Sequence, residues 1–485
     1  MIYNKNQFWD KEVVRESRIV YLEQKLFIIF FKWGEFKMKI AVIGAVAAGT
    51  SAAAKARRTD KNAEIVVFEK DTDISYAGCG LPYYISGVTP TRDKVVMNTA
   101  QDFKEKYNVE VRLQHEVTKI NKDDKKLYYK NLNSGENGEY QFDKLIISTG
   151  ASAIKPLFAG LDLENIFTLR SVESADQIKV AVSRQETQKA VIIGAGLIGL
   201  EMAEAFSELG MEVTVVELED QVLPPFSKEM ADLVAEHLKE KGVNLILDDG
   251  IDHFEGSGRV EKIVTASSRE VEADLALLSI GVKPNSKLAQ EAGIEVGETG
   301  AIKVNEKLET NVKDIYAAGD CAESTDLLTN KDVWVPLGST ANKQGRTAGE
   351  NAAGGEAEHY GILKTGITKI FDLTAAKTGL GLKEAKKEGI DAAAVKIKAH
   401  NHASYYPGTD SIHLRGIFDK INGVIVGAEV IGGDGSDKRI DVLAAAVYNR
   451  MTADELFQVD LAYAPPYSGP KDAVAILGMV AEKKL

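Results

Sequence analysis

The sequence predicts an α/β protein, and three observations carry that prediction. Short apolar runs alternate with Ala-rich stretches of helical character along most of the chain. Twice, such a run ends in a glycine-rich turn that opens a helix, and the next run ends in a glutamate. At 485 residues the chain has length for several domains and a large buried core.

The first of these Rossmann-like units starts with the apolar run Lys39-Ile40-Ala41-Val42-Ile43. It continues through Gly44-Ala45-Val46-Ala47-Ala48-Gly49 and an Ala-rich helix to Arg58. The strand Glu64–Phe68 then delivers Glu69, with Lys70 beside it. A tight turn of this kind points a helix N-terminus at a pyrophosphate, and the acid suits a ribose hydroxyl. Val46 replaces the middle glycine, so an ordinary α/β turn also fits this segment. The second unit is complete: Lys189–Ile193, then Gly194-Ala195-Gly196-Leu197-Ile198-Gly199, then Val213–Val216 and Glu217. Glu217 is expected to accept from a ribose 2′-hydroxyl and to repel a 2′-phosphate. No arginine follows in Leu218-Glu219-Asp220, so NADH is expected ahead of NADPH.

Three more strand ends add cofactor-binding candidates. Leu145–Ser148 runs into Thr149-Gly150, Leu277–Ile280 into Gly281, and Ile315–Ala318 into Gly319-Asp320. Asp320 suits a ribitol hydroxyl of FAD. Cys79 lies in Ile74-Ser75-Tyr76-Ala77-Gly78-Cys79-Gly80-Leu81-Pro82, a setting of Gly and Pro unlike a packed helix or strand interior. It has no partner at CxxC or CxxxxC spacing. A lone thiol after a nucleotide-binding turn points to redox chemistry by one sulfur, although a free cysteine is commonly a small buried hydrophobe. Cys321, the other cysteine, is expected to be such a packing residue. The His and Cys residues show no metal-ligand spacing, so no metal site is expected.

A net charge of -13 argues against a nucleic-acid or anionic-membrane surface. Two cysteines exclude a disulfide scaffold and fit a reducing cytoplasm. The apolar run Leu26–Phe31 is too short to span a bilayer. Residues 1–37 carry mixed charges and no strand alternation, and the text changes abruptly at Met38. Trp33-Gly34-Glu35 requires purine-rich codons where a bacterial ribosome-binding site would sit before Met38. Met38 is therefore the expected native start, with 1–37 a non-native or disordered extension.

The order of these motifs resembles the two-dinucleotide-fold flavoprotein pyridine nucleotide-disulfide oxidoreductases over 38–485, and their single-cysteine branch in particular. That resemblance implies FAD binding at 38–152 and 282–350, NAD binding at 153–281, and a C-terminal α+β dimerisation domain at 351–485 that completes the partner subunit's active site in a homodimer. Within the branch, NADH oxidases and peroxidases usually carry a histidine where this chain has Ala47. The segments His402-Ala403-Ser404-Tyr405-Tyr406-Pro407-Gly408 and Tyr463-Ala464-Pro465-Pro466-Tyr467-Ser468-Gly469-Pro470-Lys471-Asp472 instead look like those of coenzyme A disulfide reductases. By that resemblance Tyr405 and Tyr463 are the active-site pair, with Tyr406 and Tyr467 as packing neighbours. Ser51, Lys55 and Arg58 would receive the coenzyme A phosphates, helped by Lys471 of the partner subunit. Ser75 and Gly78 would line the pantetheine arm, and Asn342 would touch substrate. Gly78 departs from the side-chain amide common at its position, and Leu197 from an aromatic that often gates the nicotinamide.

The expected reaction is reduction of coenzyme A disulfide to two thiols through a Cys79–coenzyme A mixed disulfide. A free thiol is mostly protonated at neutral pH, so the site is expected to favour the thiolate, through a helix N-terminus after Cys79 and the flavin ring. Tyr405 and Tyr463 would donate to the leaving thiolate. The alternatives are an NADH oxidase or peroxidase using a Cys79 sulfenic acid, a persulfide or polysulfide reductase, and a flavin-binding redox sensor. No sulfur-transfer segment follows residue 485 to favour the persulfide reading.

Overall fold

Why the chain folds into separate layers follows from the central strands of its two parallel sheets, such as Lys39–Ile43 and Lys189–Ile193, which are buried along nearly their whole length and therefore need cover on both faces. The computed structural model describes residues 37–485. The expectation for 1–37 thus lies, Lys37 apart, outside the described residues. The first sheet is parallel, in the order Ile315–Ala317, Lys144–Ile147, Lys39–Ile43, Glu64–Phe68, Glu110–Arg112. Helix α1 (Ala47–Thr59) leaves its central strand, and α2 (Leu81–Ser86) follows the Cys79 turn. The strand at 315–317 comes from far along the chain, so the backbone leaves this sheet and later returns to it.

Between departure and return the chain builds a second parallel sheet, ordered Asn244–Ile246, Glu212–Val216, Lys189–Ile193, Leu275–Leu278, Ile166–Phe167. Helices α3 (Val172–Val182), α4 (Leu197–Glu208) and α5 (Lys228–Glu240) cover it. The outgoing and incoming segments pair antiparallel, Ala151–Ala153 against Val282–Pro284, as a two-stranded ribbon between the sheets. Leu81, Tyr84 and Ile85 of α2 are buried in one cluster with Ile192, Val213 and Val215 of the second sheet. The segment after Cys79 therefore packs with the nucleotide fold downstream, across the boundary placed at 152.

Helix α6 (Gly338–Ala352) returns to the first sheet and crosses α1. The crossing is close because small residues face each other: a Cβ at Gly345 would fall 2.3 Å from the Ala48 carbonyl oxygen, and one at Gly349 2.2 Å from that of Ala52. The C-terminal part is an antiparallel five-stranded sheet, ordered Gly366–Ile370, Leu373–Gly379, Ile425–Gly432, Ser411–Asp419, Ala392–His400. Helices α7 (Ser436–Tyr448) and α8 (Ala473–Lys484) bury Ile440, Leu443, Val474 and Leu477 with it. This unit docks on the second nucleotide fold through two buried acids, Glu429 and Glu204, and the half-buried Glu201. Glu429 accepts from Ser227 N at 2.9 Å, Glu204 from Phe371 N at 2.7 Å, and Glu201 from Thr368 Oγ1 at 2.9 Å. No helix among the described residues is long and apolar enough to cross a membrane.

Candidate functional site

The two glycine turns are built alike, bond for bond. Gly44 N donates to Phe68 O and Gly194 N to Val216 O, each at 2.8 Å. Ser148 N donates to Ile43 O and Ser279 N to Ile193 O, again each at 2.8 Å. Gly44 has φ +96° and Gly194 φ +102°, and a Cβ at either would strike the carbonyl of Ser148 or Ser279. Gly49 and Gly199 let the helix start sit against Gly44 O and Gly194 O. The middle position is different. A Cβ at Gly196 would meet no atom within 4 Å, and Val46 keeps a negative φ of −100°, outside the left-handed region that favours glycine. The fold therefore does not demand glycine there, which explains how Val46 is accommodated.

Each acid grips its own turn. Glu69 accepts from Ala45 N at 2.7 Å and Asp71 N at 3.0 Å; Glu217 accepts from Ala195 N at 2.6 Å and Glu219 N at 3.0 Å. A carboxylate offers about four acceptor sites, so each keeps capacity for a ribose hydroxyl. Burial pushes the Glu69 carboxyl above its usual range, while these backbone bonds pull it down. Lys70 is exposed, with its carbonyl taken by Gln114. Thr149 and Gly150 are locked to Asn285: its N–H donates to Gly150 O at 2.9 Å and Thr149 Oγ1 donates to its carbonyl at 2.7 Å. Gly281 accepts from Ile154 N, and Gly319 N donates to Gln344 Oε1 at 2.8 Å.

Cys79 sits in a single 3-10 turn, Gly78–Gly80, and is exposed; Cys321 is fully buried against the Ile147 and Ala318 carbonyls. The expectation that the protein favours the thiolate is not met by its own groups. Although the residue has solvent access, the protein atoms around its sulfur partly desolvate it and push the Cys79 thiol up, the carboxylates of Glu201 and Asp320 push it further, and Arg170 opposes them with positive charge. The helix after Cys79 has six residues, too few for a strong end charge. Arg170 donates to Asp320 Oδ2 at 3.1 Å and Ala151 O at 3.2 Å, and its own carbonyl receives Tyr76 OH. Ser75 Oγ accepts from Asn98 Nδ2 at 3.0 Å, so an amide does stand beside this turn although Gly78 carries none. A Cβ at Gly78 would meet nothing within 4 Å.

Along the α1–α6 crossing, Asn342 Nδ2 donates to Ser51 Oγ at 2.9 Å, which brings two substrate candidates together. Lys55 is already paired with Glu350 at 2.7 Å, and Arg58 is exposed with its guanidinium over the Tyr107 ring. Arg346, one turn beyond Asn342, is exposed on that face. Tyr405 and Tyr463 meet each other, hydroxyl to hydroxyl at 3.3 Å, and both are exposed. That shared bond raises the Tyr463 phenol above its usual range. Among the described residues no hydrogen bond joins either tyrosine, or the exposed Lys471, to the Cys79 turn.

The family description of pyridine nucleotide-disulphide oxidoreductases matches residues 38–345, and that of their dimerisation domain matches 366–474. The chain belongs to the pyridine nucleotide-disulphide oxidoreductase family. It is 39% identical over 445 residues to an NAD(P)H coenzyme A polysulfide/persulfide reductase of Pyrococcus horikoshii, covering 92% of this chain and 98% of that one. A coenzyme A disulfide reductase of Staphylococcus haemolyticus is 37% identical over 448 residues, covering 91% and 99%. Among solved structures, that of reduced CoADR-RHD from Bacillus anthracis superposes with a TM-score of 0.90 at 41% identity, covering 93% of this chain and 81% of that one.

FAD and a pyridine nucleotide are the cofactors of this oxidoreductase family, and the residues present fit both. Helices α1, α4 and α6 all start without a side-chain cap and without an acid in the first turn, so their N–H groups are free for phosphate. Helix α3 and the helix at Ala100–Tyr107 are closed by capping boxes instead. Sequence reading did not find Asn285, Arg170, Glu201 or Asn98. Only Arg170 left a trace, as the charge ending the apolar run Ile166-Phe167-Thr168-Leu169 just before a capped helix.

Proposed function

We propose that this oxidoreductase uses NADH to reduce coenzyme A disulfide to two thiols, with Cys79 as the sole redox sulfur. The observation that carries the reading is the contrast between its cysteines. Cys79 is exposed in an open turn while Cys321 is buried, so the sulfur that pairs with Cys79 comes from outside the chain. Cys79 Sγ attacks one sulfur of the substrate, forming a mixed disulfide and expelling one thiolate. Two electrons and a proton reopen the mixed disulfide, releasing the second thiol and restoring the Cys79 thiolate. FAD, when bound, supplies the electron relay between NADH and that sulfur. Tyr405 and Tyr463, reaching the site from the second subunit of a homodimer, donate to the departing thiolate. Ser51, Lys55, Arg58 and Asn342 hold the substrate's nucleotide end, with Lys471 of the second subunit, and Ser75 and Gly78 border its thiol arm. Lys55 exchanges Glu350 for phosphate on binding. Glu217, with Glu219 and Asp220 close by, favours NADH over NADPH.

A second reading, reduction of persulfide or polysulfide, is supported by the likeness to the Pyrococcus horikoshii protein and by the open space at Gly78 beside the thiol. Anaerobic NADH oxidation with coenzyme A disulfide, glutathione disulfide, hydrogen peroxide and polysulfide, each alone, separates the readings. Coenzyme A disulfide is expected to give the highest kcat/KM. Polysulfide ahead of it would replace the first reading with the second, and peroxide ahead of both would make the protein a peroxidase.

A further inference from the structure

The C-terminal unit holds a buried charge that the reaction above does not use. Arg439 of α7 is 1% exposed, the largest fully buried side chain of the described residues. A guanidinium out of water needs nearly all its donors answered, and here they are. Nη2 donates to Asp472 Oδ2 at 2.7 Å, to the Asn401 carbonyl at 2.7 Å and to the Tyr467 carbonyl at 3.4 Å. Nε adds a bond to Asp472 Oδ2 at 3.1 Å, and Nη1 one to Gly435 O at 3.0 Å. Asp472 is satisfied in turn by Ser468 Oγ at 2.7 Å and by Val474 N, which makes it the N-cap of α8.

What these partners have in common is the segments they anchor. Asn401 closes the loop that carries Tyr405, exchanging bonds with Asp410 at 3.0 Å (N to O) and 2.9 Å (N to Oδ1). Tyr467, Ser468 and Asp472 belong to the segment that begins with Tyr463 and includes Lys471. One further bond, Ala403 N to Pro465 O at 3.2 Å, ties the two segments together. Both tyrosines are exposed on loops outside helix and strand; a turn bond from Tyr406 N to Ala403 O at 2.9 Å shapes one loop, and the 3.3 Å contact of the hydroxyls depends on how the two loops are anchored relative to each other. We propose that Arg439 and Asp472 form a clasp that sets the position of the Tyr405–Tyr463 pair, and of Lys471 beside it. The two are positioning residues, touching neither substrate nor cofactor. This inference rests on the tyrosines serving disulfide reduction.

The clasp acts on one half of the reaction only. Reduction of bound FAD by NADH needs the two nucleotide folds, whereas release of the thiol needs the tyrosines. In the dimeric holoenzyme, Asp472→Asn keeps a good N-cap for α8 and removes the charge that Arg439 answers. With coenzyme A disulfide its kcat is expected to fall about ten-fold, and that of Arg439→Met about 100-fold, from misplaced donors alone. Stopped-flow reduction of the flavin by NADH is expected to stay within about two-fold of the parent rate, since no clasp residue belongs to either nucleotide fold. Arg439→Lys, which keeps the charge but only part of the bond set, is expected to fall between the other two. If Asp472→Asn slows both half-reactions equally, or slows neither while Tyr405→Phe/Tyr463→Phe slows disulfide turnover, the clasp has no positioning role. If the double Phe variant itself turns over normally, the tyrosine reading fails and the clasp's role fails with it.

Discussion

At the residue scale the proposed chemistry turns on the charges around one sulfur. Cys79 is the exposed cysteine, and its reactivity depends on how much thiolate exists. Two carboxylates, Glu201 and Asp320, disfavour that anion, and Arg170 favours it. Asp320 already shares its charge with Arg170, which leaves Glu201 as the group whose removal changes the balance most cleanly. Glu201 is held by Thr368, and burial raises its own carboxyl. A nearby negative charge raises a thiol pKa, so removing it lowers that pKa. Glu201→Gln is therefore expected to shift the pH midpoint of Cys79 alkylation by iodoacetamide downward. Arg170→Met is expected to shift it upward, by the same reasoning with the sign reversed. An unchanged midpoint in Glu201→Gln would show that its charge does not reach the sulfur.

Helices and turns explain why apparently equivalent glycines carry different duties. Gly349 is required by contact between elements, because a Cβ there would enter the Ala52 carbonyl of α1. Gly349→Ala is expected to lower stability by about 1–3 kcal/mol, the cost of overpacking a tight contact, and to release FAD as α1 and α6 separate. Gly196 has open space around it, so Gly196→Ala is expected to keep the parent Tm and raise KM for NADH. Thermal unfolding followed by both flavin fluorescence and circular dichroism checks the first, and steady-state kinetics the second. Equal loss of Tm in the two variants would mean that the difference in packing does not matter. These turns were largely legible in the sequence, because glycine spacing and strand apolarity are local signals. Val46 was read as a weakness of the first turn, and the structure shows why it is tolerated: only the flanking glycines meet backbone. The groups around Cys79 were not legible in that way. Arg170 meets Asp320 across 150 residues and Arg439 meets Asp472 across 33, and neither spacing has a period to betray it.

For the whole molecule, the arrangement of the two candidate centres becomes an argument about subunits. The C-terminal unit docks on its own second nucleotide fold through Glu201, Glu204 and Glu429, and this fixes where its tyrosines lie. Among the described residues, no hydrogen bond from there reaches the Cys79 turn of the same chain. Residues 366–474 match a dimerisation domain, and under the proposed function a symmetric pair would let each subunit's tyrosines serve the other's sulfur. That geometry makes a prediction no single-chain site shares. A Cys79→Ser homodimer and a Tyr405→Phe/Tyr463→Phe homodimer each lack a complete site. When the two chains are co-expressed, a mixed dimer regains one intact site, with sulfur from the second chain and tyrosines from the first. Random pairing makes about half of the dimers mixed, so coenzyme A disulfide turnover is expected to recover to about one quarter of the parent value. Each homodimer measured alone sets the baseline. Recovery no greater than the sum of those baselines would mean that sulfur and tyrosines act within one subunit or do not act together.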